Sequence, residues 1–279
     1  MIVTKDLEVI QRLRVEQKDK SWGFVPTMGF LHRGHISLVE KALVNNDFCI
    51  ASIYVNPMQF NEKNDFESYP QDLESDYLQL ESAGVDLVFT PDQETIYPTG
   101  FASKITIPAL CDILEGASRP GHFDGVCTVV TKLFHMIQPD KAYFGEKDAQ
   151  QLLIIKKLVT DLNFTTEVIG CPTRRERDGL AMSSRNVRLT SEARQQSPIL
   201  FKSLQKAKDM IVEGERDPKK VIQVMTEMIN TEPLAKIELV SVNNSDTLAE
   251  IPTIEGNVLI SLAVIFGNVR LIDNISMIV

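Results

Sequence analysis

The stretch SWGFVPTMGFLHRGHISLVEKALVNNDFCIASIYV, residues 21–55, decides the fold. Ser21–Thr27 is short, apolar and aromatic, and it runs into Met28-Gly29 as a strand runs into a turn. His35–Asn46 then sets Ile36, Leu38, Val39, Ala42 and Leu43 at helical spacing, an apolar stripe on an otherwise polar segment. Phe48–Val55 is a nearly unbroken run of apolar, β-branched and aromatic residues, as expected of a strand covered on both faces. Strand, helix and buried strand in this order make the crossover unit of a parallel sheet.

Outward from this unit the alternation continues. An acidic helix is expected around Asp72–Ala83 and strands at Val85–Thr90 and Lys104–Ile107. A helix follows at Gly125–Ile137, a short strand at Ala142–Phe144, a helix at Ala149–Leu162 and a strand at Thr166–Gly170. After Cys171-Pro172 the texture changes to a charged stretch, then helical patterns at Ser191–Val212 and Pro218–Ile229. Strands follow at Lys236–Val242, Asn257–Phe266 and Val269–Ile272, with short Asn-Asn and Gly-Asn turns suited to antiparallel pairing. The fold class is therefore α/β: a Rossmann-like doubly wound parallel sheet in residues 1–173, then a second, smaller α+β domain in residues 174–279.

A formal charge of −9 on 279 residues argues against a broad basic footprint for nucleic acid or anionic lipid, so an anionic ligand needs a local site. No signal peptide or membrane-length apolar run is visible. The four cysteines are far apart, without CxxC or histidines at ligand spacing, and read as reduced thiols of a cytoplasmic protein.

Chemically rich segments follow the expected strands: PTMGFLHRGH after the first, VNPMQF after the second, GEKDAQQ after Ala142–Phe144 and RERDGLAMSSRN after the last of the parallel set. In open α/β sheets, ligands bind beyond the carboxyl ends of strands. Gly29 and Gly34 keep Cβ atoms away from a ligand, and His32 and His35, three apart, lie on nearly one face where a helix begins. Free amides and the positive helix end attract phosphate there, and imidazole donors can offset charge developing on a phosphoryl oxygen. Lys147 can neutralise a phosphate, while Ser183, Ser184 and Arg185 can clamp one. Gln59 leaves an apolar setting as an amide suited to a small polar substrate. Each segment alone also has a plain structural reading: two histidines capping a helix start, a charged loop, a strand-ending turn. No GxGxxG, GxxxxGK[ST] or GxSxG is present.

Taken together, PTMGFLHRGH, YVNPMQF, RPGHFDGV, YFGEKDAQQL, DGLAMSSRN and the late VRLIDN resemble the pantothenate synthetase family, the pantoate and β-alanine ligases, in that family's order and over residues 24–274. The resemblance implies an AMP-forming acid–amine ligase that makes pantothenate, a coenzyme A precursor, through a pantoyl adenylate. It also implies a cytoplasmic homodimer whose smaller domain acts as a lid. ATP would lie on Met28, Gly29, Phe30, Leu31, His32, Arg33, Gly34 and His35, on Gly145, Glu146, Lys147 and Asp148, on Arg174, and on Met182, Ser183, Ser184 and Arg185. His35, His32, Lys147 and Arg185 would be catalytic. Arg174 stands where the family usually has an apolar residue, which weakens that assignment. Gln59 and Gln151 would bind pantoate against an apolar wall of Val126, Val129 and Val130, Gln59 lying near β-alanine as well, and Asp76 would associate with Mg²⁺. Other readings stay open at this level: another HxGH nucleotidylyltransferase, a nucleotide-binding module without turnover, and a tRNA-charging enzyme, which the acidic balance disfavours.

Overall fold

The computed structural model describes residues 1–61 and 63–279. Six strands form a wholly parallel sheet: β1 (Ile2–Thr4), β2 (Trp22–Thr27), β3 (Phe48–Ile53), β4 (Leu87–Phe89), β5 (Lys141–Gly145) and β6 (Glu167–Cys171), in the order β1-β4-β3-β2-β5-β6. The chain moves outward from β2 through β3 to β4, then returns to start again at β5. The topological switch point therefore lies between β2 and β5. These two strands pair only at Gly23 with Lys141 and Phe24 with Ala142. The pairing register ends there, before Val25–Thr27 and Tyr143–Gly145.

Strand alternation accounts for the double covering. Trp22, Phe24, Phe48, Ile50, Leu87 and Phe89 enter one apolar cluster, with Phe134 and Ile137 of the helix His122–Ile137. Val25, Cys49, Ala51 and Val88 enter another, with Val39 and Ala42 of the helix Arg33–Asn45. A period of two on strands buried on both faces leaves no polar side, hence the continuous apolar runs.

By compactness the chain divides into one unit of Met1–Glu146 with Gln151–Pro172 and another of Lys147–Gln150 with Thr173–Val279. The second contains a three-stranded antiparallel sheet, β7 (Ala235–Asn244), β8 (Asn257–Phe266) and β9 (Val269–Ile278), and helices Ile199–Val212 and Pro218–Ile229, with a core from Leu204, Val221, Met225, Ile260 and Val264. The first unit is the doubly wound domain and the second the smaller α+β one.

Some local expectations are corrected. Lys104–Ile107 is not a strand: Ile105 donates its amide to the Thr128 hydroxyl, a side chain, at 3.0 Å. The expected helix Ser191–Val212 is two, Ser191–Gln196 and Ile199–Val212, because Pro198 has no amide to continue the first. Helix Leu7–Glu16, capped by the Asp6 carboxylate, and strand β1 stand where the pattern announces no element. β7 and β8 are joined by residues 245–256 rather than by an Asn-Asn turn, and Asn244 belongs to β7.

Candidate active site

The turn after β2 is built by a buried carboxylate. Gly29 and Phe30 both have positive φ, 81° and 51°, so the chain curls back with its amides pointing inward. Asp76, in the acidic helix Leu73–Ala83 and 1 % exposed, accepts the Phe30 amide at 2.8 Å on Oδ2 and the Leu31 amide at 2.7 Å on Oδ1. A Cβ on Gly29 would stand 2.9 Å from Asp76 Oδ2 and 3.0 Å from Ile53 Cγ2, so this position needs glycine for space as well as for φ. Burial pushes the Asp76 carboxyl above its ordinary range, and the two amide bonds pull it back. A magnesium role for Asp76 would have to share these oxygens, each of which accepts one backbone amide and has a second lone pair. Its oxygens are buried against backbone amides, and among the described residues no group of three His, Cys, Asp or Glu side chains is gathered to hold a metal.

His32 caps the helix Arg33–Asn45, and His35 is its third residue. His32 Nδ1 accepts the Gly34 amide at 3.1 Å, and His35 Nδ1 accepts the His32 amide at 3.2 Å, a reciprocal capping box made of two imidazoles. Their rings lie 4.0 Å apart, centroid to centroid. A backbone N–H can only donate, so both Nδ1 atoms are unprotonated, and each neutral ring carries its proton on Nε2. Capping, one of the two alternatives that spacing left open, is present, and it fixes the tautomer that keeps the proton on each Nε2. Arg33 is exposed and pairs with Glu40 at 3.0 Å.

After β3, the turn Pro57–Gln59 packs on helix His122–Ile137 so closely that a Cβ on Gly125 would meet Met58 O at 2.3 Å. Asn56, 1 % exposed, donates to Gln59 Oε1 (3.0 Å) and Gly125 O (3.1 Å) and accepts from Tyr97 Oη (2.8 Å). Gln59 Nε2 faces Met28 Sδ at 3.1 Å, tying this turn to the one after β2. Arg119 and His122 complete the support. The guanidinium at 3.1 Å donates to His122 Nε2, so Nδ1 carries the proton and donates to Gln59 O at 2.6 Å. Asn56, Tyr97 and Gly125 escape the sequence reading. Only the glycine, inside a helical pattern, offers a signal. Val126, Val129 and Val130 are buried on one stripe of this helix, and Gln151 is half-buried in the helix Ala149–Asp161. Gly145 and Glu146 stand at the end of β5, the far side of the switch point.

In the second unit, Lys147 is 18 % exposed and 3.8 Å from Asp148. Met182 donates its amide to Arg174 O at 2.9 Å, so Arg174 contributes backbone while its side chain is exposed. Ser183 caps the turn Ser184–Arg188 by accepting the Arg185 amide at 3.2 Å, and Ser184 is buried.

A doubly wound parallel sheet with an HxGH-capped helix at its switch point defines a Rossmann-like α/β protein of the nucleotide-binding kind. The family model for pantoate-beta-alanine ligase matches residues 2–276. A pantothenate synthetase of Acetivibrio thermocellus is 52 % identical over 91 % of this chain and 90 % of its own, and one of Caldicellulosiruptor bescii 47 % identical over 99 % and 98 %. The crystal structure of the Thermus thermophilus pantothenate synthetase superposes with a TM-score of 0.94, at 42 % identity and 99 % of both chains. That of the Francisella tularensis pantoate-beta-alanine ligase, complexed with beta-gamma ATP and beta-alanine, gives 0.84 at 39 % identity, over 99 % of this chain and 97 % of that one. The chain belongs to the pantoate-beta-alanine ligase family, whose function is the ATP-dependent condensation of pantoate with β-alanine.

Proposed function

We propose that this chain makes pantothenate in two steps on one enzyme-bound adenylate. A pantoate carboxylate oxygen attacks the α-phosphorus of ATP; the new O–P bond forms as the bond to the β-phosphate oxygen breaks, and pyrophosphate leaves. The β-alanine amine then attacks the acyl carbon, loses a proton as the amide forms, and AMP departs with the former carboxylate oxygen. Neither step needs a protein nucleophile. The work is positioning and charge compensation.

The observation that carries this reading is the paired imidazole cap at the switch point. Two Nε2–H donors fixed on one helix start are suited to phosphate oxygens that gain charge as pyrophosphate leaves. From the first unit we assign Met28–His35, Gly145 and Glu146 to the nucleotide, and Gln59 and Gln151, with Val126, Val129 and Val130, to pantoate. From the second unit we assign Lys147, Asp148, Arg174, Met182, Ser183, Ser184 and Arg185 to the nucleotide, with Lys147 and Arg185 as the phosphate cations. The second unit would act as a lid. Mg²⁺ is proposed to arrive with the triphosphate and to lower its charge, with Asp76 as the carboxylate proposed to associate with it. A homodimer is proposed from the resemblance, and a cytoplasmic setting from four buried, free thiols. No helix among the described residues is long and apolar enough to cross a membrane.

Exchange of labelled pyrophosphate into ATP, without β-alanine, tests the reading. Exchange that requires pantoate is expected. Its absence with every acid tried would favour a nucleotide-binding module without turnover.

A further inference from the structure

VRLIDN, near the end of the chain, has no task in the reaction above. In β9, Asp273 and Asn274 are both buried, at 2 % and 8 % exposure, although neighbouring strand residues face opposite sides. Each grips a different segment. Asp273 takes the Arg175 guanidinium in a bidentate pair, Oδ2 to Nη1 at 2.5 Å and Oδ1 to Nη2 at 3.0 Å. Arg175 also donates to Gly179 O at 3.1 Å and lies 4.0 Å over the Phe201 ring, so it is fixed on several sides. It begins a small hairpin, bridged Arg175 to Ala181 and closed by Met182 N to Arg174 O, which delivers Met182–Arg185. Asn274 donates from Nδ2 to Lys147 O at 2.8 Å, and Lys147–Gln150 belongs to the same compact unit as β9 although the chain on either side of it belongs to the other.

We propose that Asp273 and Asn274 are positioning residues: two adjacent residues in the middle of β9 hold both segments that carry the phosphate cations, Lys147 and Arg185, one through the Arg175 guanidinium and the other through the Lys147 carbonyl, so that the two cations meet the nucleotide as one set. The inference rests on the phosphate role assigned to them above. Neither residue is assigned to substrate, and each acts through the segment it tethers. The direct tether, Asn274 to Lys147, gives the sharper test.

Asn274→Ala removes the donor without adding charge. At a temperature well below its melting point, it should lower kcat for pantoate-dependent pyrophosphate exchange by about tenfold and leave KM for pantoate within about twofold. In a Lys147→Ala background the same change should cost less than about twofold, because the cation it positions is gone. Amide hydrogen exchange across Lys147–Gln150 should also quicken in the single variant, a readout that does not depend on the reaction. If the alanine variant does not fold, Asn274→Asp, equal in size and unable to donate, replaces it. Losses that add fully with Lys147→Ala, or unchanged kcat and unchanged amide exchange in a folded variant, would overturn the proposal. Absence of pantoate-dependent exchange in the unmodified protein would sink the ligase reading instead, while the amide-exchange comparison still reports on the tether.

Discussion

The turn after β2 and the segment Met182–Arg185 both carry polar side chains suited to phosphate, yet they are held in different ways. The helix start of the first is self-made, its two histidines capping one helix within four residues, while distant Asp76 accepts the two amides before them. The second depends on β9, whose Asp273 lies 98 positions from Arg175 and whose Asn274 lies 127 from Lys147. A locally determined turn can be read from its own sequence. A tethered one is defined by partners that no short window contains.

The largest expected effect separates cap from chemistry in the self-made turn. His35→Ala loses both, whereas His35→Asn keeps a side-chain oxygen to accept the His32 amide but has no imidazole donor. Both should lower pyrophosphate exchange roughly 10²–10³-fold, as removal of one transition-state donor does elsewhere. Only the alanine variant should also lose about 1 kcal/mol of stability, measured by urea unfolding. Equal stability of the two would remove the cap from the account, and unchanged adenylate formation would remove the donor.

Next comes Asp76, the long-range acceptor of that turn's amides. Asp76→Ala leaves two buried amides without an acceptor and should cost roughly 2–4 kcal/mol in urea unfolding. It should also weaken ATP binding measured by calorimetry in excess chelator, where a metal ligand would make no difference. If affinity falls only when Mg²⁺ is present, Asp76 acts on the nucleotide through the metal and not through the turn.

The smallest effect belongs to the tethered region. Asp178, in the hairpin beside Arg175, is held below its ordinary carboxylate value chiefly by the hydrogen bond from Arg194, at 2.6 Å. A lowered carboxyl contributes stability above the ordinary value of 3.8 and loses it as pH falls through the lowered one. The pair is partly exposed, so Asp178→Asn should cost less than about 1 kcal/mol at neutral pH. The difference in melting temperature from the unmodified protein should shrink below about pH 4.

The same contrast explains what the sequence could tell. β2, the helix after it and β3 are legible because their apolar period belongs to the strands and helix themselves. β1 is not, because it is three residues long, largely exposed and at the edge of the sheet, with no buried face to impress a pattern. Lys104–Ile107 alternates like a strand but spends an amide on Thr128, a partner invisible from spacing. In the site, HxGH announces itself. Asn56 looks like part of a turn, and its bonds to Gln59, Gly125 and Tyr97 come from three separate parts of the chain. The late VRLIDN is recognisable only as a resemblance.

The imidazole cap has a consequence for how charge reaches a ligand. In an ordinary helix start, the first amides themselves face an incoming anion. Here the His32 and Gly34 amides are spent on Nδ1 atoms, so each ring stands in series with a backbone amide through a hydrogen bond. The amide polarises the ring, which strengthens the far N–H as a donor. On the role proposed for the two histidines, the positive end of the helix would act one imidazole further out, through groups that carry no net charge.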